Sequence, residues 1–320
     1  MIKNVISLLL CSLLVACANL PENTTQPNSA IYQSKSSQLS TSIGEQRQTL
    51  GLASDETLMV LLPTGVDSFV TRIALIEDAQ ESIDMQYYLF HPDLTGGAII
   101  AALWQAAERG VRVRVLVDDI DLEGQDQKIE RLNAHPNFEI RVFNPFVRGE
   151  NRLTQYVTGL GRVTRRMHNK SFTVDGTVAI LGGRNLADEY FTASEEVAFG
   201  DLDVAFTGDS VRTVQQAFDL YWNNGLSYNI ELLTDYRPLP SDLDLLTKQY
   251  DAFIKDNTQS QYAQAVYDNH IIERINEYIN EQYIGHTVVL YDDPLKVVSS
   301  RDQQQYNLAP KLKPYVANIK

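Results

Sequence analysis

The stretch His168-Asn169-Lys170-Ser171-Phe172-Thr173-Val174-Asp175, followed by Gly182-Gly183-Arg184-Asn185, decides how the 320-residue chain reads. Ser171 to Val174 and Val178 to Leu181 are β-rich runs, and Asp175-Gly176 between them is a strong hairpin signal. On an extended chain, residues two apart project from the same face, so His168 and Lys170 point together. Asn185 returns from the far side of the hairpin past two glycines, which let another group approach the backbone closely. An imidazole, an ammonium and a carboxamide converging beside glycine suit phosphoryl chemistry. The lysine and the amide can hold nonbridging oxygens while a histidine nitrogen attacks phosphorus.

Working outward, short apolar runs alternate with amphipathic stretches. Strands are predicted at 58–62, 83–90, 111–117, 139–143 and 202–206, with helices at 67–79, 97–109, 126–134 and 210–222. Strands separated by helices argue for an α/β fold with a substantially parallel sheet. The stripe Val211, Val214, Phe218 and Trp222 reads as core. Residues 238–284 are expected to be mainly helical, and 287–291 to form a last strand. No internal repeat is visible.

At this length, with 44% hydrophobic residues, the chain can bury a large core, which excludes a disordered or fibrous bulk. Its 27 basic residues against 41 acidic ones give a net charge of -14, which argues against nucleic acid as a partner. The charge is uneven. Between Arg148 and Arg184 the cations are Arg148, Arg152, Arg162, Arg165, Arg166, Lys170 and Arg184, against Glu150 and Asp175 only. That segment is expected to form a basic mouth for anionic head groups on an acidic body. Taken singly, each arginine is at least as well explained by pairing with a surface carboxylate.

Both cysteines, Cys11 and Cys17, lie in the first twenty residues, so the body has no cysteine nucleophile, disulfide or cysteine metal site. The apolar run 5–16 would span roughly 18 Å as a helix, short of the ~30 Å membrane core, and reads as a signal segment. Its end, Leu14-Val15-Ala16-Cys17, resembles the lipobox of bacterial lipoproteins. The resemblance implies cleavage after residue 16 and a lipid anchor on Cys17, hence a membrane-attached protein of the bacterial cell envelope, with the outer membrane favoured. An ordinary secretory signal is the alternative. Residues 17–57 then read as a flexible tether.

The spacing His168, Lys170, Asp175, Gly182, Gly183, Asn185 resembles the H-x-K-x4-D-x6-G-G-x-N signature of the phospholipase D superfamily. The runs 83–90, 110–119, 185–191 and 201–208 are similar to its cardiolipin-synthase-like branch, over about 58–298. The resemblance implies a mixed α/β sheet flanked by helices, forming one half of a two-half architecture. Residues 58–237 would be the catalytic half and 238–320 a helical connector toward a second half. It implies that His168 attacks phosphorus to give a phosphohistidine while a second histidine protonates the leaving alcohol, with no cofactor or metal. Lys170 and Asn185 match phosphate-binding positions, with Gly183, Arg184, Arg166 and Arg165 as further substrate contacts. Asp175 matches an aspartate of more structural role. Asp201 falls where the family places the acid that orients the histidine, with Asp203 as the fallback.

Only one copy of the motif is present. His91, His135, His270 and His286 start no H-x-K and read as loop or surface residues. The string Leu290-Tyr291-Asp292-Asp293-Pro294-Leu295-Lys296 resembles the connection preceding the second half of two-motif synthases. The expectation is a homodimer, a separate second-motif partner or a fragment, acting on anionic phospholipid. A nuclease, or an inactive half docking on lipid or on a partner synthase, are the alternatives. Asp118 and Asp119 read as turn caps or structural ion pairs, Gly96-Gly97 as a helix start, and 159–161 as a mobile rim loop.

Overall fold

The computed structural model describes residues 19–30, 34, 36–158, 161–193, 199–260, 263–264, 283–300 and 302–317. The signal segment, Cys17, His270 and residues 159–160 of the rim loop lie outside them.

Nine strands form one sheet among the described residues, and its order comes from how the chain reverses. β1 (Thr57–Leu62) leads through α1 (Gly65–Asp78) into β2 (Ser82–Tyr87). From there α2 (Leu94–Glu108), β3 (Arg112–Asp118), α3 (Asp126–Asn133) and β4 (Phe138–Phe143) follow as helical crossovers, and β2, β3 and β4 run parallel. The hairpin of β5 (Ser171–Val174) and β6 (Val178–Gly182) breaks that pattern, because the first two of its three loop residues are left-handed, Asp175 at φ 49° and Gly176 at φ 58°. β5 pairs antiparallel with β2, and β7 (Asp203–Thr207) pairs antiparallel with both β6 and β1. The sheet is therefore mixed, not substantially parallel. Its order is β8 (Ser227–Asn229), β4, β3, β2, β5, β6, β7, β1, β9 (Tyr283–Gly285).

Two layers of helix cover the sheet. Phe69, Ile73 and Ile76 of α1 and Ile99, Leu103 and Trp104 of α2 pack with Ile83, Met85, Val113 and Val115 on one face. On the other, α4 (Asp209–Trp222) buries the predicted stripe Val211, Val214, Phe218 and Trp222. A charged network crosses this second face, where Arg114 on β3 meets Asp84 at 2.7 Å and Asp219 of α4 at 3.0 Å. Such a network tolerates burial because each charge is paired.

Two expectations are corrected. The described residues of the segment read as a flexible tether, 19–30, 34 and 36–57, are built into the body. Asn23 donates to the Gly225 and Ser227 carbonyls, and Asn28 accepts from Arg114 and Trp222 at 2.9 Å each. The Ser34 amide bonds the Asp175 carbonyl at 3.0 Å, and Gln38–Thr49 is helical, capped by Ser37. Asparagine and serine, which read as linker composition, here serve as partners for buried polar groups. The last strand is Tyr283–Gly285, not 287–291, because the free edge of β1 at Thr57–Met59 pairs with it. Thr287 instead uses its hydroxyl on Ser210 and Thr57. The described part of the C-terminal connector packs on the catalytic half: Pro240–Asp256 is the expected helix, and Val297 is buried beside Met167, Phe218 and Trp222. Residues 265–282 lie outside the described ones.

Candidate active site

The site forms at the edge where β2 and β3 end and β5 and β7 begin. Asp118, the last residue of β3, sets its floor. One carboxylate oxygen accepts from the Met167 amide at 2.8 Å, and the other meets Arg166 Nε at 2.7 Å and the Ile120 amide at 2.9 Å. This holds the chain immediately before His168. The reading of Asp118 as a cap and structural ion pair is what the structure shows, and Asp119 pairs likewise with Arg148 and Arg152.

His168 is exposed and Lys170 buried, and their side chains meet as predicted. Lys170 Nζ lies 3.2 Å from His168 Nδ1 and 3.5 Å from Nε2, and it donates to the His168 carbonyl at 3.0 Å. The Tyr88 ring lies under both, 4.7 Å from the imidazole centroid and 5.3 Å from the ammonium. Its place at the end of β2 puts an aromatic wall against the pair, a contact that sequence reasoning missed. Desolvation, then the charges of Lys170 and Lys296, hold the His168 pKa below the ordinary imidazole value, with Asp201 opposing them. Burial brings Lys170 down to about 8, again opposed by Asp201. A neutral imidazole beside an ammonium that is still mostly charged near neutral pH is a pair chemically able to serve as nucleophile and anion holder.

Asn185 is buried at the same edge, where its carboxamide oxygen accepts from the Leu89 amide at 3.1 Å. That bond fixes the amide plane and leaves its NH2 as the donor end, without a hydrogen-bond partner among the described residues. Asp175 is wholly buried and accepts from the amides of Gln80, Glu81 and Ser82 at 2.8 to 3.1 Å. It fastens the hairpin to the start of β2, the structural role expected of it.

What the two glycines admit is a pair of carboxylates. A Cβ on Gly182 would fall 1.8 Å from Asp203 Oδ1, and one on Gly183 would fall 2.0 Å from Asp201 Oδ1. The Gly183 amide donates to the Leu202 carbonyl at 3.3 Å, which removes it as an anion contact. Asp201 is half-buried and acts on His168 and Lys170 through its charge, without a hydrogen bond to the imidazole among the described residues. Asp203, the fallback, is consumed by structure. It is buried against Arg72 at 3.0 Å and Arg184 at 3.7 Å, and Ser68 donates to it at 2.5 Å.

The basic mouth is the main correction. Arg184 is 2% exposed and donates to the Leu62 and Pro63 carbonyls at 3.0 and 2.8 Å. Arg166 is held by Asp118 and the Asn144 carbonyl, and Arg165 by the carbonyls of Lys296 and Ser299. Arg162 bonds Asn144 and Pro145, and Arg148 pairs with Asp126 at 2.8 Å. Guanidinium groups with five donors in a rigid fork are suited to knitting loops together, which is their use here. The positive group left facing the imidazole from the motif is Lys170.

Of the other histidines, His91 meets Asp121 at 2.5 Å, His135 is buried against Trp104 and Glu108, and His286 lies by Asp55. His135 is thus a packed residue rather than a surface one. His91, Asp93 and Glu189 could each direct one ligand atom at a metal ion within 4.8 Å of one another. Asp93 also caps α2 through the Gly96 amide at 3.0 Å, so Gly96-Gly97 is a helix start as read.

Residues 73–222 match the family described as cardiolipin synthase, PLD-like domain. The chain is 47% identical over 161 residues to cardiolipin synthase C of Escherichia coli K12, covering 50% of this chain and 34% of that protein. An uncharacterized protein of Helicobacter pylori is 35% identical over 241 residues, 74% of this chain and 48% of that one. The solved structure of Nuc from Salmonella typhimurium, described as a phospholipase D family member, aligns with a TM-score of 0.39 and 19% identity over 57% of this chain and 99% of that chain. The chain spans between about a third and a half of the length of these two curated relatives. Residues 73–222, which hold His168, Lys170 and Asn185, are thus a PLD-like domain of the phospholipase D superfamily, similar to that of cardiolipin synthases.

Proposed function

We propose that the protein exchanges phosphatidyl groups on phospholipid phosphodiesters through a covalent intermediate on His168, in the manner of a cardiolipin synthase or a phospholipase. The observation that carries this is the Lys170–His168 contact at an exposed sheet edge, 3.2 Å between ammonium and imidazole. Lys170 and the NH2 of Asn185 bind the nonbridging oxygens. A His168 nitrogen forms a bond to phosphorus, the P–O bond to the departing alcohol breaks, and that oxygen takes a proton from an acid. The positive imidazolium so formed is balanced by Asp201. An incoming hydroxyl, from water or a second lipid, then loses its proton and displaces His168.

The acid–base group is the motif histidine of a second copy of this chain or of a partner chain, in accord with the single motif here. In the same reading Cys17 carries a lipid anchor in the bacterial envelope, supported by Leu14-Val15-Ala16-Cys17. No helix among the described residues is long and apolar enough to cross a membrane.

The test is incubation of the full chain with labelled phosphatidylglycerol, comparing wild type with His168→Ala while its mass in solution is measured. Turnover abolished by the substitution is the expected result. Turnover that survives it overturns the nucleophile, and cleavage of DNA alone replaces the lipid reading by a nuclease.

A further inference from the structure

The string 290–296, read from the sequence as a connection to a missing half, is docked on the catalytic half beside His168. Pro294–Val297 forms a short turn capped by Asp293, whose side chain accepts from the Leu295 amide at 2.8 Å. Val297 is 1% exposed and inserts among Met167, Phe218, Tyr221 and Trp222. From the other side, Arg165 donates to the Lys296 carbonyl at 2.9 Å and to the Ser299 carbonyl. Lys296 and Val297 are thereby clamped against residues 165–167, the three positions leading into His168.

We propose that Lys296 is a phosphate-binding residue of the site, a second ammonium delivered beside Lys170 by the docked C-terminal segment. Its field already acts on the imidazole, where it ranks after desolvation and Lys170 in holding His168 neutral. In the resting structure its Nζ is parked on Asp292, four residues earlier, and the pair is only partly exposed. Asp292 is itself fixed, because it accepts from the Leu308 amide. An arriving phosphate offers Lys296 a second anionic partner without moving the backbone. The arginines leave room for it: with Arg165, Arg166 and Arg184 tied to carbonyls and carboxylates, Lys170 would otherwise be the one motif cation this chain offers the double negative charge of a five-coordinate phosphorus.

This rests on reading His168 as the phosphate-facing nucleophile, and the experiment separates the two. The His168 ring signal is followed by NMR in the full chain while inorganic phosphate is titrated, for wild type, Lys296→Met, Lys296→Arg and, as control, the exposed Lys313→Met. Phosphate should perturb His168 in wild type, and Lys296→Met should weaken that binding by about 5- to 10-fold. Lys296→Arg should restore it to within about twofold, and Lys313→Met should leave it unchanged. Asp292→Asn, which releases the ammonium, should tighten binding, an effect a merely structural lysine would not produce. Wild-type binding retained in Lys296→Met overturns the proposal alone. A wild-type His168 signal indifferent to phosphate overturns the site reading and the proposal together.

Discussion

Gly183 and Asp201 are matched to each other: a methyl group on the glycine would fall 2.0 Å from the carboxylate oxygen. The glycine pair of the motif thus exists to seat two acids, one for the site and one for the core. Gly183→Ala is expected to displace Asp201 and reduce phosphodiester turnover by on the order of 10- to 100-fold, with the melting temperature shifted by only a few degrees. Gly182→Ala drives into the buried Asp203 instead, and should yield little folded protein. Parallel thermal melts and turnover assays decide this, and equal loss of stability in both would refute it.

The two acids differ in the same way under direct substitution. Asp203→Ala leaves Arg72 buried without its carboxylate, so unfolding in urea should occur with about 3–5 kcal/mol less stability. Asp201→Asn should keep the wild-type midpoint while lowering the His168 pKa further, since removing a negative charge disfavours the imidazolium. A His168 pKa that rises in this variant contradicts the assigned role.

Activity should show a bell-shaped dependence on pH. The acid limb rises as His168 loses its proton, below the ordinary imidazole value, because only the neutral ring attacks. The alkaline limb falls through about 8, where Lys170 loses the charge that holds phosphate. Lys170→Arg, with a guanidinium that stays charged, should retain less activity but move the alkaline limb upward. An alkaline limb unmoved in this variant assigns it to another group.

The arginines 165, 166 and 184 should behave as structural residues. Arg166→Met leaves Asp118 buried and unpaired, and is expected to cost about 3–5 kcal/mol of stability. Its residual folded fraction should bind inorganic phosphate as tightly as wild type. Weakened binding with unchanged stability would restore the basic-mouth expectation.

The motif was legible because its logic is local. Residues two apart share a face, and Asp175-Gly176 supplies the two left-handed positions of the three-residue loop between Val174 and Val178, so the hairpin and the His168–Lys170 pairing need no distant partner. The Val211–Trp222 stripe was legible for the same reason. Strand direction was not: helical spacing between runs predicted parallel pairing, but the hairpin inserts antiparallel strands into the middle of the sheet.

Sequence by itself determined the chemistry present, namely one histidine, one lysine and one carboxamide at set spacing on an α/β scaffold. Only the tertiary structure decided which charges are free to act. Six arginines that sum to a basic segment on paper are tied to carbonyls and carboxylates, because a loop-rich edge leaves acceptors that must find donors. Conversely Lys296, 126 positions after Lys170 in the chain, arrives beside the imidazole because Val297 has an apolar pocket to fill next to Met167. Neither outcome is written in spacing, since both depend on contacts between segments that only folding brings together.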